Sequence, residues 1–196
     1  MSDHVNAPEP IDELIREGCG SYLDALYALH RFRRAVIDAA MDVWKARLEE
    51  LAGVIGTPAL RPEDVESHCN PNGLKEDYNG NWALIMCKHW FPQPWKAHYH
   101  LGLSFEREQN GHSMSCSVKF LVQSERVEGL NALREAFGND KGYWEDSPSR
   151  DCGFSRPIEN CMELSRDILR DQFNVMMDYV IDRWRCRLPA PHNTPS

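Results

Sequence analysis

From His98 to Gln123 apolar and polar residues alternate in steps of two, after a first quarter of the chain in which apolar residues recur at steps of three and four. That change of period constrains the fold more than any other feature. A strand returns side chains to one face every second residue, and a helix every three or four. In His98-Tyr-His-Leu-Gly-Leu-Ser-Phe105, the residues Tyr99, Leu101, Leu103 and Phe105 share a face. In Ser113–Gln123 the apolar set Met114, Cys116, Val118, Phe120 and Val122 stands opposite Ser113, Ser115, Ser117 and Lys119. Trp82–Trp90 is a third strand candidate, apolar on both faces, followed by the proline-stiffened connection Phe91-Pro-Gln-Pro-Trp95. Asn110-Gly111 marks the second connection. Strands joined by short links form an antiparallel meander with one apolar and one more polar face.

The stretch from Ile11 to about Gly56 reads as helix, with Gly18-Cys-Gly20 as the place where it could break. Leu26, Leu29, Val36, Ile37, Ala40, Val43, Trp44, Leu48 and Leu51 supply its apolar stripe, and Gly53 and Gly56-Thr-Pro58 supply the stop. A short helix runs from Ser124 to Phe137, and a last one from about Asn160 to Arg187, with Leu164, Ile168, Val175, Met176, Tyr179, Val180 and Trp184 as its stripe. Residues 57–80 and 139–158 read as irregular. The expected class is therefore α+β: an antiparallel β-meander of about three strands packed against long N- and C-terminal helices. Residues 1–10 form a flexible leader, 11–187 a single domain and 188–196 a disordered tail.

With 196 residues and 42% of them hydrophobic, such a domain builds one core without staples. Its seven cysteines are odd in number, widely spaced and without a CxxC pair, which points to a reducing, cytoplasmic setting rather than a disulfide framework. No run approaches the roughly 18 apolar residues of a membrane span. Thirty acidic against 22 basic residues leave a net charge of −8, which disfavours direct nucleic-acid binding.

No GxSxG, P-loop, HExxH or GxGxxG motif occurs, so no catalytic residue is singled out. The nearest approach to a metal-dependent nuclease pattern, Glu106-Arg-Glu108, lacks the lysine. One cluster carries chemistry on paper. If the hairpin across residues 91–95 pairs His89 with His98, it also pairs Cys87 with His100. Directly opposite residues have Cβ atoms about 4.5–5.5 Å apart. One thiolate and three imidazoles would then meet on one face, a donor set suited to zinc, with Asp77 or Glu106 to orient an imidazole. The plainer reading is a polar sheet face that happens to hold histidines.

Arg183, Arg185 and Arg187 sit where cations favour a helix C-terminus. Arg33 falls on the first helix's stripe, and an acid of the last helix, Asp171 or Asp178, is its expected partner. Acidic stretches (Glu63–Glu66, Glu76-Asp77, Glu106 and Glu108, Glu145-Asp146) recur beside Tyr78, Trp90, Trp95, Tyr143 and Trp144. Aromatic anchors in a negative field make a recognition surface for a basic protein, with Trp90, Trp95, Tyr143, Trp144, Glu145 and Asp146 as the partner-binding residues.

The order of long helix, antiparallel strands, short helix, aromatic-rich segment and long terminal helix is similar to accessory regions of some bacterial nuclease-like proteins and to small acidic inhibitor or immunity proteins. No motif carries that likeness. The expected function is a soluble acidic protein-binding module, an inhibitor or immunity-type protein of bacterial or phage kind. It would act by occupying a partner surface, including one that binds nucleic acid, where carboxylates stand in for phosphates. The alternative is a metal-binding protein or metal-dependent enzyme using Cys87, His89, His98 and His100. Trp44, Met176 and Trp184 give the long helices enough apolar bulk for a homodimer seam as well.

Overall fold

In a computed structural model the residues described are 10–56, 75–78, 82–91, 95–107, 114–146, 151–159 and 163–187. The leader over 1–9, the tail over 188–196, the Asn110-Gly111 turn and the acidic stretch Glu63–Glu66 lie outside them. The chain divides into two units, residues 1–35 and 36–196. Helix α1 (Pro10–Ile55, 46 residues) supplies the described part of the first and the opening segment of the second. It does not break at Gly18-Cys-Gly20, because glycine lowers helix propensity without forcing an end.

The second unit is α+β. A six-stranded sheet runs β1 (Lys75–Tyr78), β2 (Trp82–Phe91), β3 (Ala97–Arg107), β4 (Met114–Ser124), β6 (Asp151–Pro157), β5 (Tyr143–Asp146), with every neighbouring pair antiparallel. The expected meander is its centre, β2-β3-β4. Three strands were hidden from the pattern. β1 and β5 have four residues each, too few to display a period. β6 contains a glycine and ends in proline, residues that ordinarily weaken a strand reading. Gly153 is needed there, since a Cβ on it would overlap the Phe120 carbonyl of β4. Helix α2 (Val127–Phe137) follows β4, and α3 (Arg166–Arg187) follows β6. Ser124 turns the chain into α2: its hydroxyl accepts the Arg126 N–H at 3.1 Å and lies 3.1 Å from the Trp95 carbonyl.

The β2–β3 register differs by one residue from the expected one, and that residue decides the geometry of the unit. Phe91 pairs with Ala97, His89 with Tyr99 and Cys87 with Leu101, so His98 lies opposite Trp90 and His100 opposite Lys88. Lys96 is the added loop residue, held at a positive φ of 48°. A one-residue shift moves side chains to the other face. The observed register puts Phe91 on the same face as Tyr99, with their rings packed edge-to-face at 4.9 Å, both fully buried. The alternative would place Phe91 on the face opposite Tyr99, Leu101 and Leu103. Core packing therefore fixes the register, at the expense of the histidine cluster.

Trp184 of α3 is the centre of the core. Its ring lies 5.5 Å from Phe137 of α2, 6.2 Å from Tyr99, 6.4 Å from Phe120 and 6.0 Å from Trp95. Around α3 the buried residues are Leu169, Phe173, Met176, Met177, Val180, Ile181 and Trp184. The expected stripe was right at Met176, Val180 and Trp184, but Ile168 and Val175 are exposed, because the buried face is centred one position further round the helix.

Ion pairs align α3 with the Val36–Ile55 segment of α1. Asp42 meets Arg166 at 3.0 Å and Arg170 at 3.1 Å, Arg47 meets Asp178 at 2.7 Å, and Glu50 meets Arg185 at 3.1 Å. Since the positions rise together on both helices, the two run in the same direction. Asp178, one of the acids expected to meet Arg33, lies 2.7 Å from Arg47. Arg183 and Arg187 reach past their own helix end to Asp140, at 3.4 and 2.6 Å.

Packing outweighs these ion pairs. Trp184→Ala opens a large cavity among four rings and is expected to cost about 3–5 kcal/mol. Asp42→Asn removes half-exposed pairs and should cost less than about 1 kcal/mol. Urea unfolding of both variants measures the ranking, and a larger loss in Asp42→Asn would reverse it.

Candidate functional site

The sheet parts the four predicted ligands. Cys87 and His89 face the helices: the Cys87 thiol donates to the Ile37 carbonyl at 3.6 Å, and the His89 ring lies 4.8 Å from Phe91 and 6.2 Å from Trp44. His98 and His100 stand on the opposite face, their rings 6.3 Å apart, with His98 packed at a tilt against Trp90 at 4.7 Å. The four-residue zinc site therefore does not form. Among the described residues no group of three or more His, Cys, Asp or Glu is placed to hold a metal ion.

That opposite face carries a polar row of its own. Lys119 lies 2.7 Å from Glu106 and 5.0 Å from the Trp144 ring, and Ser104 donates to Glu106 at 3.2 Å. Trp144 in turn packs on Leu84, Met86 and Leu121. The Lys119 bond holds the Glu106 carboxyl below its ordinary value of 4.5. Burial, reinforced by Lys88, holds His98 below 6.5. On the helix-facing side, burial pushes the Cys152 thiol up to about 12, so it stays protonated and a poor nucleophile. The Tyr99 hydroxyl is raised by the same cause, and among the described residues it has no hydrogen-bond partner.

The predicted partner-binding residues are largely engaged inside the unit. Trp95 lies against the bare backbone of Gly129, where a Cβ would come 2.5 Å from its ring, and next to Trp184. Trp90 packs against His98, and Tyr143 packs at 5.9 Å from Phe154. Glu145 receives a two-pronged contact from Arg134, both bonds 2.7 Å. Asp146 is placed only through its pairing with Asp151. Trp95 joins the core around Trp184, and Tyr143–Asp146 form the edge strand β5; the sequence showed their chemistry but not their neighbours.

Among the described residues two surfaces are open. A cleft of about 810 Å³ lies between β6 and α3, with Phe154 and Met176 among its lining and the exposed Ile168 and Val175 on its wall. The second surface is on α1. Every residue from Glu17 to Arg31 is exposed, and these include Tyr22 (63%), Leu23 (58%), Leu26 (43%), Tyr27 (66%) and Leu29 (51%). Leu26 and Leu29 were read from the sequence as core stripe; the helix spacing was visible, but nothing in it showed whether the face would be covered.

The Glu106–Lys119 pair has a pH signature. A carboxyl held low in the folded state contributes stability above its unfolded value, and that contribution is lost as pH falls through the folded value. Lys119→Met should bring Glu106 back toward 4.5 and shrink the stability lost on acidification below 4.5. The Glu106 side chain is half-exposed, so water screens part of the effect. Urea midpoints measured across that pH window, together with the Glu106 carboxyl NMR titration, check both. An unchanged titration would show that Lys119 does not control Glu106.

No family model, no curated protein and no solved structure matches this chain.

Proposed function

We propose that this chain is a protein-binding module and that the helical first unit is the element that engages another protein chain. The observation that carries this reading is the run of large apolar residues on α1, five of them 43–66% exposed. Contiguous apolar surface of this kind marks interaction sites. Tyr22, Leu26 and Leu29, at steps of four and three, have the anchor spacing with which an amphipathic helix enters a groove or pairs with another helix. A helical stretch such as Glu17–Arg31, exposed at every residue, is marginal by itself, because helices in proteins owe most of their stability to a packed face. Outside residues 10–35, whose charges cancel, the chain's net −8 steers the module toward basic partners. An inhibitor or immunity role, exercised by occupying such a partner, is the form of the reading that this acidity suits.

A photo-cross-linking residue placed at Tyr22, and a control at the exposed Glu135 of α2, tests the reading in the full chain. Cross-linking to a protein from position 22 and not from 135 is expected. Equal yields at the two positions, or none at 22, would overturn it.

A further inference from the structure

The partner of the first unit is open to identification from its own residues. Resting on the protein-binding reading above, we infer that it is a second copy of the same helix, paired antiparallel about a two-fold axis near Leu23.

Charge gives the first argument. Over residues 10–35 the acids Asp12, Glu13, Glu17 and Asp24 gather toward the start, and Arg31, Arg33 and Arg34 gather at the end. With Arg16 the segment holds four acids and four bases, so it is neutral, although the whole chain carries −8. Two copies thus meet on a stretch whose own charges cancel, so the chain's overall charge does not drive them apart there. Pairing in parallel sets acid against acid and base against base. Pairing antiparallel sets each acidic end against the other copy's arginines, and does so twice, as a two-fold interface requires.

The glycines give the second. Gly18 and Gly20 lie inside a helix, where glycine is among the poorest residues, and a Cβ added at either meets nothing within 4 Å. Nothing described within the chain calls for bare backbone there. A neighbouring helix does, because small residues let two backbones approach closely. In the antiparallel arrangement the Gly18-Cys-Gly20 segment of one copy falls opposite the Leu26–Tyr27 region of the other, and Tyr22 falls beside the Leu23 of its mate. At 3.6 residues per turn Gly18 shares the face of Tyr22, Leu26 and Leu29 while Gly20 points away from it, so the bulky residues of each copy cover the other's Gly18 and the exposed stripe is buried. The 26 residues involved make a helix roughly 39 Å long, nearly four heptads, enough for a two-stranded seam.

Light scattering on the full chain after size exclusion should give twice the 22.6 kDa of one chain. Leu26→Glu with Leu29→Glu should return it to a monomer, with the near-ultraviolet signal of the Trp184 core unchanged. Gly18→Leu, which raises helix propensity and fills the approach, should do the same, so loss of helix cannot explain the result. Raising salt from about 0.05 to about 0.5 M should weaken the pair. For direction, Leu26→Cys in a Cys186→Ser background should oxidise to a dimer joined between Cys19 and position 26, read by peptide mass spectrometry. A dimer joined Cys19 to Cys19 would show a parallel pair and overturn the inference, as would a dimer untouched by the α1 substitutions. A wild-type monomer that still cross-links another protein from position 22 would also overturn it, while leaving the protein-binding reading standing. Failure of that cross-link as well would end both.

Discussion

Burial of the Trp184 indole is the interaction on which the second unit rests. It is the place where α3, α2, the two central strands β3 and β4 and the connection at Trp95 all meet. Each of those elements brings an aromatic ring, so the contact depends on all of them being in place at once. The ion pairs along α3 are numerous but lie at the surface, where each adds little. They set the direction and pitch of the α3–α1 packing; the rings set its stability.

The same packing determines what the sheet displays. By placing Phe91 with Tyr99, the register sends Cys87 and His89 toward the helices and His98 and His100 away from them. The helix-facing groups become core: the Cys87 thiol closes on a helix carbonyl, and His89 joins a ring cluster with Trp44 and Phe91. The opposite face keeps a polar row whose charges are matched locally, with Lys119 between Glu106 and Trp144. Its charges are matched and its rings pack on one another, so these side chains are largely engaged within the unit. This is why the functional reading moves from the sheet to α1, where apolar residues stand in water.

The two units also differ in how their apolar residues are used. In the segment Val36–Ile55 the stripe of Val36, Ala40, Val43, Trp44, Leu48, Leu51 and Ile55 is buried. Over Glu17–Arg31 residues of the same type and spacing are exposed. Periodicity reports that a face exists and is silent about what covers it, since a core, a second copy and a partner protein all call for the same three-and-four spacing. Charge polarity and the unexplained glycines are the features that separate these cases, and they are local enough to be read from residues 10–35.

The residues alone determined the class α+β, the three central strands and the three helices, apart from the start of α3 at Arg166 rather than about Asn160, because long periodic runs such as Tyr99–Phe105 and Val36–Leu51 are amphipathic over enough length to be unambiguous. They did not determine β1, β5 or β6, which are too short or too rich in glycine and proline to show a period and are held by neighbours distant in sequence. Nor did they determine the β2–β3 register, where Cys87, His89, His98 and His100 looked convergent. A single loop residue, Lys96, separates the two alternatives, and the difference between them is the packing of Phe91, which exists only once Tyr99 and the sheet's other rings are in place. Local pattern sets which side chains share a strand face; tertiary packing alone sets which face meets the core.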